Sequence, residues 1–254
     1  MDSMFDLHGR VALITGSSRG IGLVLATGLA EAGATVILHG RNQESLNRAT
    51  AALVTAGHSV DSVTFELTDP EAVTAGIAAV TATHGTPDIL VNNAGVQIRG
   101  PLVEFTLEQW RTIIDTNLTS AFLMAQAVAP GMMARRSGKI INIGSIQSQL
   151  ARPSITPYST SKGGIVMLTR GLCADLAPYD IQCNALAPGY FATELTKALV
   201  EDETFSDWVR ARTPAGRWGR VEDLVGACVF LASDASRFVN GQVLYVDGGM
   251  SAVV

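Results

Sequence analysis

Cysteine is scarce in this chain. Cys173, Cys183 and Cys228 are its three thiols, and none stands at C-x-x-C spacing from another. An odd, unpaired set of this kind argues against a disulfide framework or a zinc site and for buried free thiols. Histidine is equally sparse. His8, His39, His58 and His84 lie scattered with no H-x-x-x-H pair, so no metal site is expected. Charge is thin as well, at 16% of residues, and the balance is acidic, with a net charge of -5. A nucleic-acid-binding protein wants a basic face or stripe. The locally basic stretch RARTPAGRWGR (210–220) is broken by Pro214, Gly216 and Gly219 and reads as a loop. No run approaches the ~20 apolar residues of a membrane-spanning helix. The opening MDSMFDLHGR has neither the basic n-region nor the apolar core of a signal peptide. The expectation is a cytoplasmic protein with no nucleic-acid and no membrane partner.

What the chain does have is apolar residues, at 47%, and 25 glycines. Its 254 residues suffice for one domain with a substantial core. Short β-rich runs recur at RVALIT (10–15), ATVILH (34–39), SVTFEL (62–67), DILVNN (88–93), GKIINIG (138–144), IQCNALA (181–187) and GQVLYVD (241–247). Longer stretches of helical periodicity separate them, among them 21–33, 42–57 and an unbroken one over 107–134. The strands are nearly continuous in apolar residues rather than alternating, as strands buried on both faces are. The pattern predicts an α/β fold: a single-domain, Rossmann-type, doubly wound sheet of about seven parallel strands with helices on both faces. No linker or repeat divides residues 1–254. A cofactor half is expected over about 1–140 and a catalytic and substrate half over about 141–254. Between Pro188 and Gly219 the chain spends two helix-like pieces where a parallel sheet needs only a short loop. A long insertion after a strand often closes over a ligand, so a helical substrate lid is expected after the sixth strand, over about 190–213.

TGSSRGIG (15–22) follows the first strand and opens the first helix. Gly16 permits a tight turn. Gly20 and Gly22, lacking a Cβ, let backbone approach a pyrophosphate and let helix pack on strand. The helix N-terminus supplies free N–H groups and positive potential. A glycine trio in this strand–turn–helix setting points to a dinucleotide. Further on, ITPYSTSKGG (155–164) sets Tyr158 and Lys162 one helical turn apart. Alone, such a pair is an ordinary i, i+4 surface contact.

Other motifs change that reading. The glycine spacing is G-x-x-x-G-x-G. NNAG (92–95) closes the fourth strand, Asn117 follows in a helix, Ser145 ends the fifth strand, APGYFAT (187–193) follows the sixth, and VDGG (246–249) the last. In this order, over nearly the whole chain, they resemble the short-chain dehydrogenase/reductase family. The resemblance implies an NAD(P)-dependent oxidoreductase whose catalytic residues are Asn117, Ser145, Tyr158 and Lys162. Hydride exchange at a carbinol carbon needs a proton moved at the oxygen. A phenol with a pKa near ~10 needs a nearby cation to titrate usefully at neutral pH. Tyr158 would be the acid/base, Lys162 its tuner and a holder of the nicotinamide ribose, Ser145 the partner of the reacting oxygen, and Asn117 the holder of a water leading from Lys162 to solvent. The family pattern places the pyrophosphate over Gly16, Ser18, Arg19, Gly20, Ile21 and Gly22. It sets the adenosine ribose by Asn93, Ala94 and Gly95, adenine by Glu66 and Leu67, and the nicotinamide amide by Pro188, Gly189 and Thr193. The family often has Asp at the position of Glu66.

An NAD-selecting member would carry Asp at the end of the second strand, where it repels a 2′-phosphate. In VILHGRN that place falls on Gly40, and Arg41 follows. With Arg19 nearby and no opposing carboxylate in view, NADP(H) is expected over NAD(H). Around the catalytic residues, Arg99, Gln147, Arg152 and Tyr190 join Ser145 and Tyr158 as candidate substrate contacts. This polar set with two guanidinium groups suits a sugar acid or polyol, since arginine grips a carboxylate bidentately. A 3-oxoacyl-carrier-protein reductase shares every catalytic motif and stays an alternative, as does a dinucleotide-binding regulator without catalysis. Members of the family usually form homotetramers, and the apolar last strand suits an edge that seeks a partner.

Overall fold

In the computed structural model residues 4–254 are described; the first three, part of the N-terminal stretch read above, lie outside it. Its strands are β1 Val11–Ile14, β2 Thr35–His39, β3 Val60–Val63, β4 Ile89–Asn92, β5 Gly138–Ile143, β6 Ile181–Pro188 and β7 Val243–Val246. They form one parallel sheet in the order β3-β2-β1-β4-β5-β6-β7. Its inner strands β4, β5 and β6 are buried at every position, as their nearly continuous apolar content suggests, with Asn92, Lys139, Asn142, Gln182 and Asn184 as the buried polar exceptions. The edge strand β7 is only half-buried.

The helices are α1 Gly20–Glu31, α2 Gln43–Thr55, α3 Pro70–His84, α4 Leu107–Ile114, α5 Ser120–Arg135, α6 Thr156–Leu176, α7 Lys197–Val200, α8 Glu203–Arg212 and α9 Val225–Ala232. Side-chain alternation along the strands feeds a core on each face of the sheet. Ile14, Val36 and Leu38 join Leu25 and Leu29 of α1, Leu46 of α2 and Leu231 of α9. Leu13 and Ile37 turn the other way, to Val73 and Ile77 of α3 and Met124 and Val128 of α5. The strand order reverses between β1 and β4, and ligands of open α/β sheets lie in the crevice at the carboxyl ends of the strands there.

Two sequence expectations need correction. The third strand is Val60–Val63, not 62–67. Val60 pairs with Val36 and Val63 with His39, so residues 64–67 lie beyond the end of β2 with nothing to pair to. The apolar period over 107–134 is not one regular helix. Between α4 and α5, residues Asp115–Thr119 form a π turn, with the Ser120 N–H bonded to the Asp115 carbonyl. Such turns gather at functional sites, and this one carries Asn117.

Candidate active site

The chain leaves β1 through Thr15 into the glycine turn. Gly16 has φ +62°, and a Cβ there would stand 3.0 Å from the Cα of Ala94. At Gly22 a Cβ would stand 2.4 Å from the Asn93 amide nitrogen. These close approaches follow from hydrogen bonds between the ends of β1 and β4. The Thr15 hydroxyl accepts from the backbone N–H groups of Asn93 and Ala94, each at 3.0 Å, and the Asn93 amide donates to the carbonyls of Thr15 (2.9 Å) and Gly16 (3.0 Å). At Gly20, by contrast, a Cβ would meet nothing within 4 Å. Helix α1 starts there with no side chain capping its first N–H groups and no acidic residue in its first turn. An uncapped helix N-terminus facing open space beside a Cβ-free turn fits a pyrophosphate.

His39, at the end of β2, ties this turn down, and sequence reading gave it no role. Its carbonyl accepts from Ser17 N–H at 2.9 Å, and its own N–H donates to Ser17 Oγ at 3.0 Å. Its ring is buried, with Nδ1 3.4 Å from Gly16 N and Nε2 3.0 Å from the Phe65 carbonyl. Burial pushes its pKa down. Only the crossing of β2 with the glycine turn shows this; nothing in the local sequence signals it.

Beyond His39, Gly40 is buried and Arg41 exposed. Both expected phosphate-facing cations have carboxylates near them, contrary to the sequence reading: Arg19 Nη1 lies 3.1 Å from Glu194 Oε2, and Arg41 Nη1 3.8 Å from Glu66 Oε2. Glu194 is 175 residues from Arg19, a pairing no local pattern predicts. Exposed pairs of this kind hold loosely, so they leave both guanidinium groups able to turn to a phosphate dianion. Glu66 also accepts from the Thr68 N–H and hydroxyl. Leu67 packs its side chain into the core, which leaves its backbone to border the crevice.

Ser145 follows β5, and Tyr158 and Lys162 stand on the first turns of α6, which begins at Thr156 beside Pro157. The Ser145 hydroxyl is hydrogen-bonded to the phenol of Tyr158 and also accepts from Gln147 N–H at 3.1 Å. Burial raises the Tyr158 pKa; the bond from Ser145 opposes it, and Arg152 and Arg99 lower it further from a distance. Lys162 is buried, 5% exposed, and donates to the Ile143 carbonyl at 2.7 Å. Burial pushes its pKa down to about 8. Asn117 is also buried. Its oxygen accepts from Val96 N–H at 2.7 Å, and its amide donates to the Val96 carbonyl (3.0 Å) and to Ser161 Oγ (3.1 Å). Its side chain therefore clamps the loop after β4 to α6.

Around this centre the expected substrate contacts do gather. The Gln147 amide is 3.5 Å from the Tyr190 hydroxyl, and its Oε1 is buried without a partner. Arg152 stacks over the Phe205 ring at 5.6 Å and bonds Tyr190. Arg99 is depressed in pKa by burial and then by the charge of Arg152, with Tyr190 and Tyr158 facing it. Tyr190 stands edge-on to Phe205, Trp208 and Trp218, with centroids 5.6, 5.7 and 5.8 Å away. This aromatic wall, built by α8 and the loop after it, was not foreseen from sequence, because its members lie far apart along the chain. At the end of β6, Gly189 N–H bonds the Val246 carbonyl, and a Cβ on Gly189 would fall 2.7 Å from Asp247 Cα. The Thr193 hydroxyl caps the short turn that follows, accepting from Thr196 N–H.

Residues 16–251 match the family model described as enoyl-(acyl carrier protein) reductase. Gluconate 5-dehydrogenase of Gluconobacter oxydans (strain 621H) is 54% identical over 248 residues, 98% of this chain and 97% of that protein. The 5-keto-D-gluconate 5-reductase of Escherichia coli K12 is 48% identical over the full length of both. Among solved structures, a gluconate 5-dehydrogenase from Burkholderia cenocepacia J2315, in complex with NADP and tartrate, superposes with a TM-score of 0.97 at 54% identity, covering 99% of this chain and 98% of that one.

Proposed function

The chain belongs to the short-chain dehydrogenase/reductase family, and on that premise we propose that it is an NADP-dependent oxidoreductase interconverting a secondary alcohol and a ketone of a sugar acid, gluconate and 5-ketogluconate first among them. The observation that carries this reading is the joining of a Ser145–Tyr158–Lys162 centre to a pocket holding two guanidinium groups, Arg99 and Arg152, neither of them salt-bridged to a carboxylate among the described residues. An acyl chain has no use for two cations; a polyhydroxylated carboxylate does. The chain's likeness, along nearly its whole length, to relatives named for gluconate chemistry supports the same substrate.

Gly16, Ser18, Arg19, Gly20, Ile21 and Gly22 would hold the pyrophosphate and Arg41 the 2′-phosphate. Glu66 and Leu67 would border adenine, and Asn93, Ala94 and Gly95 its ribose. Pro188, Gly189 and Thr193 would hold the amide of the nicotinamide, which when bound supplies or accepts the hydride. The Tyr158 phenol gives its proton to the ketone oxygen in reduction and takes it back in oxidation, and positioned proton transfer of this kind typically contributes ~10²–10⁴-fold. Ser145 fixes the reacting oxygen beside the phenol. Lys162 adds positive charge on the side from which a proton is replaced. Asn117 positions, by clamping the Val96 loop to the catalytic helix. Gln147 offers its unpartnered oxygen to a substrate hydroxyl, and Tyr190 closes the pocket, with the helical segment over about 190–213 acting as lid. Residues 1–140 would serve the cofactor and 141–254 the chemistry.

We place the protein in the cytoplasm as a homotetramer. The open edge of β7 and the exposed Leu107, Trp110 and Phe122 on α4 and α5 support assembly. Among the described residues no helix is long and apolar enough to cross a membrane. Consumption of NADPH with 5-ketogluconate tests the activity, run beside an acetoacetyl thioester. Reduction of the thioester alone overturns the sugar-acid reading, and tight cofactor binding with no turnover of either overturns catalysis.

A further inference from the structure

We propose that His39 is a positioning residue for the cofactor: its neutral imidazole spans the crevice floor, holding the glycine turn and the segment after β3 in the separation that a dinucleotide needs, and protonation releases that hold. The proposal rests on the dinucleotide reading of the site and adds a pH-dependent element to it.

The ring has two nitrogens and two fixed neighbours. Gly16 offers a backbone N–H, 3.4 Å from Nδ1, and Phe65 a carbonyl, 3.0 Å from Nε2. A backbone N–H only donates and a carbonyl only accepts, so one tautomer alone satisfies both: Nδ1 accepting and Nε2 carrying the proton. The two neighbours belong to opposite sides of the expected cofactor path. Gly16 opens the pyrophosphate turn, and Phe65 precedes Glu66 and Leu67, the expected border of adenine. The ring also stacks against Phe65, with centroids 4.4 Å apart, and Phe65 in turn fills the space over Gly76 of α3. The His39 backbone bonds Ser17 in both directions. One residue thus fixes the turn by main chain and side chain together.

A proton on Nδ1 would face the Gly16 N–H, donor against donor. The charged groups nearby are few. Glu66 favours the protonated ring, and Arg41 is paired to Glu66; Arg19 of the glycine turn reaches away to Glu194. Burial outweighs the Phe65 carbonyl and Glu66, both of which favour the charged ring, and pushes the imidazole below its ordinary range, so the ring is neutral at neutral pH and its release falls on the acid side. Binding that requires the neutral ring must, by reciprocity, lower the ring's pKa further when the cofactor is bound.

The test measures NADH and NADPH affinity by fluorescence titration from neutral to mildly acidic pH, within the range where circular dichroism shows the fold intact. NADH lacks the 2′-phosphate, whose own titration near ~6, as for other phosphate monoesters, would otherwise overlap. Wild-type affinity for NADH should fall as pH falls. His39→Gln, whose amide can both accept and donate, should keep neutral-pH affinity within a few-fold and lose the acid dependence. His39→Leu should bind roughly 2- to 10-fold more weakly at every pH, as for one lost hydrogen bond. The His39 ring resonance, followed by NMR, should titrate at lower pH in the NADH complex than without it. Acid loss that persists in His39→Gln, or a ring pKa that does not move on binding, overturns the proposal and leaves the assigned activity intact. Absence of cofactor binding at neutral pH in the wild type would instead overturn the dinucleotide reading itself.

Discussion

The ammonium of Lys162 stands 5.8 Å from the centre of the Tyr158 ring and donates to the carbonyl of Ile143, at the end of β5. The pair that is one turn apart in sequence is therefore also anchored to the sheet. The lysine approaches the phenol over its ring, while Ser145 takes the hydroxyl. Removing that hydroxyl isolates the proton transfer. Tyr158→Phe should lower kcat by at least ~10²-fold with NADPH affinity close to wild type, measured by steady-state assay and fluorescence titration. A variant retaining more than about a tenth of wild-type turnover is incompatible with Tyr158 as acid/base.

The pH profile should differ with direction. Burial holds the Tyr158 phenol above its ordinary range, so at neutral pH it is protonated and ready to donate. Ketone reduction should therefore be sustained at neutral pH and decline as the medium becomes alkaline. Alcohol oxidation needs the phenolate and should climb over the same interval. Lys162, pushed down to about 8, sheds its charge on that alkaline side too. Profiles of kcat/KM taken in both directions at saturating cofactor should cross; parallel profiles would remove Tyr158 from the titration.

Arg99 and Arg152 repel one another across the pocket, since the charge of Arg152 helps to lower the pKa of Arg99. A substrate carboxylate relieves that repulsion. Replacing either with Ala should raise KM for a sugar acid, by roughly 10- to 150-fold if one charge-assisted bond of ~1.5–3 kcal/mol is lost. An uncharged polyol should be little affected. Equal penalties on both substrates would contradict a carboxylate role.

Cofactor choice should turn on Gly40 and Arg41. A Cβ on Gly40 would meet Leu46 at 3.4 Å and Ser18 Oγ at 3.5 Å, so an Asp fits at little steric cost. Gly40→Asp combined with Arg41→Ser should move the ratio of kcat/KM for NADPH over NADH toward NADH by at least ~10-fold, the loss of one charge-assisted bond. A wild-type enzyme favouring NADH would refute the assignment of Arg41.

How much of this was legible in the residues depended on distance along the chain. The glycine turn, Ser145 and the Tyr158–Lys162 pair could be read because each motif is local and its chemistry demands fixed spacing. The parallel sheet could be read because short, mostly apolar runs such as DILVNN and GKIINIG alternate with longer stretches of helical period. The start of β3 was missed because Asp61 and Ser62 give an edge strand no apolar run. His39 looked like any scattered histidine, since Gly16 and Phe65 reach it only through the crossing of three segments. The aromatic wall and the Arg19–Glu194 pair were hidden for the same reason. Contacts made by topology leave little local trace in sequence.

The π turn at Asp115–Thr119 has a consequence for chain length. An α-helix advances ~100° and about 1.5 Å per residue, so the orientation of everything in α5 depends on how many residues precede it. The wide turn absorbs one residue more than a regular helix would. Across it, Ile113 of α4 and Ala121, Met124, Val128 and Met132 of α5 all stay buried. Deleting one residue of 115–119 would let the ladder close regularly with α5 kept in phase; what would be lost is the wide turn that presents Asn117 to Val96 and Ser161. In this turn the residue count is a stricter inheritance than residue type: a codon lost here would spare the packing of α5 and remove the clamp that Asn117 sets on the loop after β4.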